Sequence, residues 1–250
     1  MSPEHNDQPP ITPGPLSTPA SVMTIGAHPD DAEFGAGATL FTWIANGTDA
    51  TIVITTDGSK GSWDSRIDHA DLVAQRRSEQ MSAAAVLGVE SVAWLGQPDG
   101  ELRYTPGLRR ALVSLIRTHR PDVVLTHDPW QRYQLHPDHR ISGFLAVDAV
   151  VAAREPRFYP EQGLEAHRPS AILLWSADDP DHAETVDDRA FDAKVEALLC
   201  HTSQSETTMG SAASSAIARD RFVERVDGRL REAGERFGLD RAETFKRLTP

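Results

Sequence analysis

From Ser21 onward the chain alternates short β-branched runs with longer stretches of helical apolar spacing, and no other feature constrains the fold as much. Such alternation builds βαβ units, in which parallel strands are joined by helical crossovers that cover both sheet faces. The strand candidates are residues 21–26, 50–55, 91–95, 122–126 and 171–175. Helical spacing runs over 34–45, about 71–87, 106–119 and about 136–153, and two more helices are expected near 187–200 and 213–237. Asn46-Gly47 and Gly88 stop the first two helices, and Pro106 suits a first helical turn, where its missing N–H costs nothing. On the second helix Leu72, Met81, Ala84, Ala85 and Leu87 are the expected buried face. The expected architecture is α/β: a Rossmann-like, doubly wound, mostly parallel sheet flanked by helices, with strand order 3-2-1-4-5.

Residues 1–20 carry six prolines among Ser, Thr and Gly. Such a segment has too little apolar material to offset ordering, so it reads as a disordered leader ahead of one domain over 21–250. It lacks the basic start and apolar run of a secretory signal, and no stretch approaches the ~20 apolar residues that cross a bilayer. The chain therefore reads as cytoplasmic, without a membrane span. Its 37 acidic and 25 basic residues give a net charge of −12, with no dense basic cluster, which argues against nucleic acid as a partner. The single cysteine, Cys200, excludes an internal disulfide framework and Cys-rich zinc patterns. Any metal must be held by His and carboxylates.

The segment Ala27-His28-Pro29-Asp30-Asp31 directly follows the first strand. Thr126-His127-Asp128 and His136-Pro137-Asp138-His139 follow the fourth. In a doubly wound sheet those strands are neighbours, and their C-terminal ends open onto one crevice. A hydrolytic zinc site needs three N/O ligands and an open position for water, whose pKa the ion lowers toward ~7. His28, Asp31 and His139 could supply the three. Asp30, beside a ligand, is the candidate base for the water. His136, as an imidazolium, is the candidate to stabilise the oxyanion and protonate the leaving amine. Asp138 or Asp128 could bond the far nitrogen of a histidine and fix its tautomer.

Other features weigh less. Gly35-Ala-Gly37 resembles a dinucleotide fingerprint only superficially, since Leu40 stands where the third glycine would fall. His201 and Ser203 read as a helix end, Cys200 as a small buried hydrophobe, and His5, His69, His119, His167 and His182 as surface residues.

With these motifs in view, the chain resembles the PIG-L/LmbE-like N-acetylglucosaminyl deacetylases over about residues 22–204. The strongest marks are Ala27-His-Pro-Asp-Asp-Ala-Glu-Phe-Gly35 and His136-Pro-Asp-His139. Arg76-Arg-Ser-Glu79, Leu95-Gly-Gln-Pro-Asp-Gly100 and the His201-Thr-Ser-Gln204 helix end support them. The resemblance implies the same roles for His28, Asp31, His139, Asp30 and His136. It adds a substrate class, the 2-acetamido group of a small glucosamine glycoside, and names Arg76 and Asp99 as contacts to substrate hydroxyls. Relatives often carry glutamate directly after the paired aspartates, where this chain has Ala32, and Tyr133 is a poor spacing match to a tyrosine before their second motif. Zn2+ is the expected ion, although a His2Asp site also accepts Fe2+ or another first-row ion. An amidase of another natural-product amide, or a non-enzymatic nucleotide- or sugar-binding module of the same fold, fits the bare motifs too. The oligomeric state is left open, a homo-oligomer included.

Overall fold

The computed structural model describes residues 16–250. Their sheet has seven strands in the order β3-β2-β1-β4-β5-β7-β6. The first five are parallel: β1 (Ser21–Gly26), β2 (Asp49–Thr56), β3 (Ser91–Gln97), β4 (Val123–His127) and β5 (Ala171–Trp175). This is the expected doubly wound half. Two unexpected strands complete the sheet. β7 (Ala242–Leu248) runs antiparallel to β5, and β6 (His182–Thr185) pairs antiparallel with β7. Neither advertises itself, because β6 is a four-residue strand and β7 carries Glu243, Lys246 and Arg247 among its apolar positions.

Helices α1 (Asp31–Ala45), α2 (His69–Leu87) and α5 (Asp188–Leu199) cover one sheet face, and α3 (Pro106–His119) and α4 (Pro137–Arg154) the other. α6 (Ala216–Glu235) packs outside α5 against β7. Each central strand feeds both layers. Val22 joins the α1/α2/α5 core while Met23 and Ile25 join the α3/α4 core, and on β5 Leu173 and Leu174 divide likewise. Burial on both faces explains why these strands read as continuous apolar runs. Helix starts carry side-chain caps: Thr105 accepts from the Leu108 N–H on α3, and Asp187 from the Ala190 N–H on α5.

α2 departs from the amphipathic reading. Leu72, Ala84 and Leu87 are buried, but Met81 is 48% exposed and Ala85 is exposed too, while Arg76, Glu79 and Gln80 are buried. The hydrophobic pattern misjudges the helix because part of its inner face is polar and turned toward the crevice. His182 is a second correction, since it is buried and bonds Glu184 at 2.7 Å.

The leader expected over residues 1–20, with His5, falls mostly outside the described residues. Residues 16–20 within it are anchored: the Leu16 N–H donates to Glu184, Thr48 Oγ1 donates to the Pro19 carbonyl, and the Ala20 N–H donates to Asp122. Among the described residues no helix is long and apolar enough to cross a membrane.

Candidate active site

β1 and β4 lie side by side at the centre of the sheet, with Ile25 opposite Thr126, so the loop after β1 meets the end of β4 and the start of α4 at the C-terminal ends of the parallel strands. His28, Asp30, Asp31, His127, His136 and His139 all line a single cavity of about 880 Å3 there. Arg76 and Asp99 line it too. The three expected ligands fall in two overlapping groups, His28–His136–His139 and Asp31–His127–His139, within each of which the donor atoms lie within 4.8 Å of one another.

Hydrogen bonds decide which of these atoms are free. Trp175 Nε1 lies 3.0 Å from His127 Nδ1, and an indole N–H can only donate. His127 Nδ1 is therefore an acceptor, and its Nε2–H donates to Asp31 Oδ2 at 2.9 Å. Both ring nitrogens of His127 are committed, which removes it as a ligand. Asp31 Oδ2 also accepts from the Ala27 and His28 N–H groups at 2.8 and 2.7 Å, so it is saturated. Asp31 Oδ1 is left facing His139 Nε2 at 3.4 Å. His28 Nε2 lies 3.2 Å from both Asp138 Oδ2 and Asp99 Oδ1, which holds its proton on that side and turns Nδ1 toward Asp31. This is the outer carboxylate–imidazole contact that commonly orients a metal-binding histidine. Asp138 makes it. Asp128 instead accepts from the Trp130 N–H in a turn.

The charges are strongly coupled. Burial opposes ionisation of Asp31, but His127 and His139 outweigh it and hold the carboxyl well below its ordinary range. Burial lowers His139 to about 4, with the neighbouring imidazoles acting in the same direction and Asp31 opposing, so its ring is neutral at pH 7. Burial likewise lowers His28, yet its bonds to Asp138, Asp31 and Asp99 raise it well above an ordinary histidine. For Asp99, burial is outweighed by His28 and the Lys60 N–H, bringing it down to about 2.

Asp30 differs from its neighbour. Burial, with Asp31 adding to it, pushes its carboxyl up to about 6, although Arg76 opposes the shift. Its backbone sits at φ 101°, ψ −20°, a region that L-residues rarely occupy. Its N–H donates to Gln80 Oε1 at 3.1 Å. Arg76 lies 3.8 Å from the Asp30 carboxylate and 3.9 Å from Asp99. Its Nη1 and Nη2 also donate to the Gly58 and Pro29 carbonyls.

His136 caps α4 through its ring: Nδ1 accepts from the Asp138 N–H at 3.3 Å. That bond requires Nδ1 to be unprotonated, and burial followed by the charge of His28 lowers the ring's pKa. His136 thus presents a neutral ring with an Nε2–H. It stacks on His139 with centroids 4.7 Å apart and meets the edge of His28.

Several contributors were not singled out from sequence. His127 stood in the Thr126-His127-Asp128 run, and its place at the end of β4 was the available signal. Gln80 carried none, and Glu33 stood in the first motif with no role assigned, until folding brings the two together. His201 is fully buried with its Nε2 3.8 Å from Glu33, and Ser203 Oγ donates to Glu79 at 2.6 Å, so the helix end braces the site from behind. Tyr133 is largely exposed and does not line the cavity.

Convergent imidazole and carboxylate donors at a topological switch point define the class: an α/β protein with a candidate metal centre. Residues 23–150 match the family model for PIG-L, GlcNAc-PI de-N-acetylase. The chain is 35% identical over 193 residues to diacetylchitobiose deacetylase of Thermococcus kodakarensis, covering 76% of this chain and 72% of that protein. It is 33% identical over 162 residues to 1D-myo-inositol 2-acetamido-2-deoxy-alpha-D-glucopyranoside deacetylase of Mycobacterium leprae, covering 55% of this chain and about half, 52%, of that relative. Among solved structures, N,N'-diacetylchitobiose deacetylase from Pyrococcus horikoshii, complexed with its inhibitor MPG, superposes with a TM-score of 0.83 at 30% identity, covering 92% of this chain and 84% of that one. The chain belongs to the PIG-L family.

Proposed function

We propose that the protein is a metal-dependent hydrolase that removes the N-acetyl group from a small glucosamine-containing glycoside. The observation that carries this reading is the set His28 Nδ1, Asp31 and His139 Nε2, drawn together around the Asp31 carboxylate, beside a carboxylic acid, Asp30, that is raised toward neutrality. The family supports the amide as the bond cut, and the names of its diacetylchitobiose and inositol-glucosaminide relatives support an amino sugar as the substrate class.

Two imidazole nitrogens and one carboxylate oxygen suit Zn2+, and Fe2+ would also be accepted. When bound, the ion would lower the pKa of a water and polarise the acetamido carbonyl. Asp30 takes the proton of the attacking water, for which a pKa of about 6 is well matched near pH 7. His136 Nε2–H donates to the oxyanion as the carbonyl carbon becomes tetrahedral. Because Nδ1 of His136 is held as an acceptor, we assign return of the proton to the leaving amine to Asp30 rather than to an imidazolium. Asp138 keeps His28 in the ligating tautomer, and Arg76 and Asp99 remain candidates for contacts to sugar hydroxyls at the cavity wall.

The test is release of primary amine from a panel of N-acetylglucosaminides and unrelated N-acyl amides by zinc-loaded protein. We expect amine from at least one N-acetylglucosaminide and none after chelation. Amine from only the unrelated amides would reassign the substrate class, and amine from nothing in the panel would overturn the reading.

A further inference from the structure

We propose that Gln80 is a positioning residue that, together with Arg76, clamps the one peptide link that aims Asp30. The proposal rests on the reading of Asp30 as the base.

The C=O of Pro29 and the N–H of Asp30 belong to the same planar peptide group and point to opposite sides of the chain. Arg76 Nη2 donates to that carbonyl at 2.7 Å, and Gln80 Oε1 accepts from that N–H at 3.1 Å. Arg76 and Gln80 are four residues apart on α2, so one helix face presents both jaws one turn apart. Fixing both ends of a peptide plane fixes its rotation. Here it fixes φ of Asp30 at 101°, a value that costs about 1–3 kcal/mol for a residue with a Cβ and persists only where surroundings enforce it.

The amide of Gln80 is itself oriented. Its Nε2–H donates to Glu33 Oε1 at 2.5 Å, which leaves only the oxygen to face Asp30. Gln80, Glu33 and Arg76 are all buried. Three polar side chains inside the domain add nothing to the apolar core, and a buried amide must be satisfied to be tolerated. Their joint effect falls on the 29–30 peptide. Asp31 is held separately, by its own bonds to the Ala27 and His28 N–H groups, so the clamp acts on the base and leaves the ligand set alone.

The test replaces Gln80 with Met, similar in length but without the amide. In the metal-free protein the Asp30 backbone N–H should exchange with solvent at least about tenfold faster, because its acceptor is gone. In the zinc-loaded protein kcat should fall about 10- to 100-fold with KM within about twofold, and zinc stoichiometry should be unchanged. Gln80→Asn, polar but one methylene too short to reach, should read the same and serves if the Met variant does not fold. The exchange Glu33→Gln with Gln80→Glu restores an acceptor for Asp30 and a donor between the two side chains, and should recover both protection and most of kcat. Unchanged exchange at Asp30, unchanged kcat, or an exchange variant no better than Gln80→Met would overturn the clamp. If wild-type protein releases no amine from any substrate, the deacetylase reading fails, and the hydrogen-exchange arm still decides whether the clamp exists.

Discussion

Asp30 carries opposite demands on stability and on chemistry. Its carboxyl is raised to about 6, chiefly by burial, from an ordinary value of 3.8. A raised acid binds its proton more tightly in the folded state, so it destabilises the fold as pH rises from about 4, with the full penalty present above about 6. We expect Asp30→Asn to stabilise the metal-free protein by about 1–3 kcal/mol at pH 8 and by clearly less at pH 5, measured by urea denaturation. The same substitution should retain zinc yet lose at least about a hundredfold in kcat. Loss of zinc would instead make Asp30 a ligand. In the wild type, kcat/KM should fall about tenfold per pH unit below about 6, where Asp30 is protonated and no longer a base. His28, Asp31, His136 and His139 stand out in sequence because they sit in compact motifs that follow β1 and β4, and the fold brings all four to one cavity. His127 was visible but unassignable, since its tautomer depends on Trp175, which only β-sheet pairing brings beside it.

At the scale of elements, the first helix is interrupted where the sequence suggested a continuous one. α1 leaves helical geometry at Ala36, and its flanking glycines show why. A Cβ on Gly35 would lie 2.5 Å from the Trp175 ring, and one on Gly37 would press on Lys194 at 3.3 Å. The break frees the Glu33 and Phe34 carbonyls, which accept from Lys194 Nζ at 2.8 and 2.7 Å. It also frees the Ala38 and Thr39 N–H groups, which donate to Glu243. Lys194 and Glu243 then pair with each other at 2.6 Å, so a buried ion pair from α5 and β7 replaces the missing helical bonds. Lys194→Met should cost about 3–5 kcal/mol in urea denaturation, because it leaves a buried carboxylate without its cation. No periodicity argument could have found this plug. Its parts lie far apart in the chain, and each reads alone as an ordinary surface charge.

For the molecule as a whole, the five parallel strands and all six α-helices were legible because apolar alternation and helix stops agree along the chain. The antiparallel pair was not, being short or charged. If the proposed ligands hold a metal, their position between the ends of β1 and β4 would couple its binding to the stability of the entire domain. Zinc at about a hundredfold above its Kd should add about 2.7 kcal/mol, raising Tm by roughly 5–10 °C over the chelated protein. Because the metal-free His28 is held protonated by its carboxylate neighbours, binding should release a proton and weaken as pH falls from 8 to 6, which calorimetry in buffers of different ionisation heat would read.

β7 stands between β5 and β6, although β6 comes long before it in sequence. On a translating ribosome the five parallel strands can assemble early, but β6 has no neighbour until residues 242–248 emerge, and the outer edge of β5 stays unpaired meanwhile. Until then that edge, along Ile172–Trp175, is open to pairing with another chain.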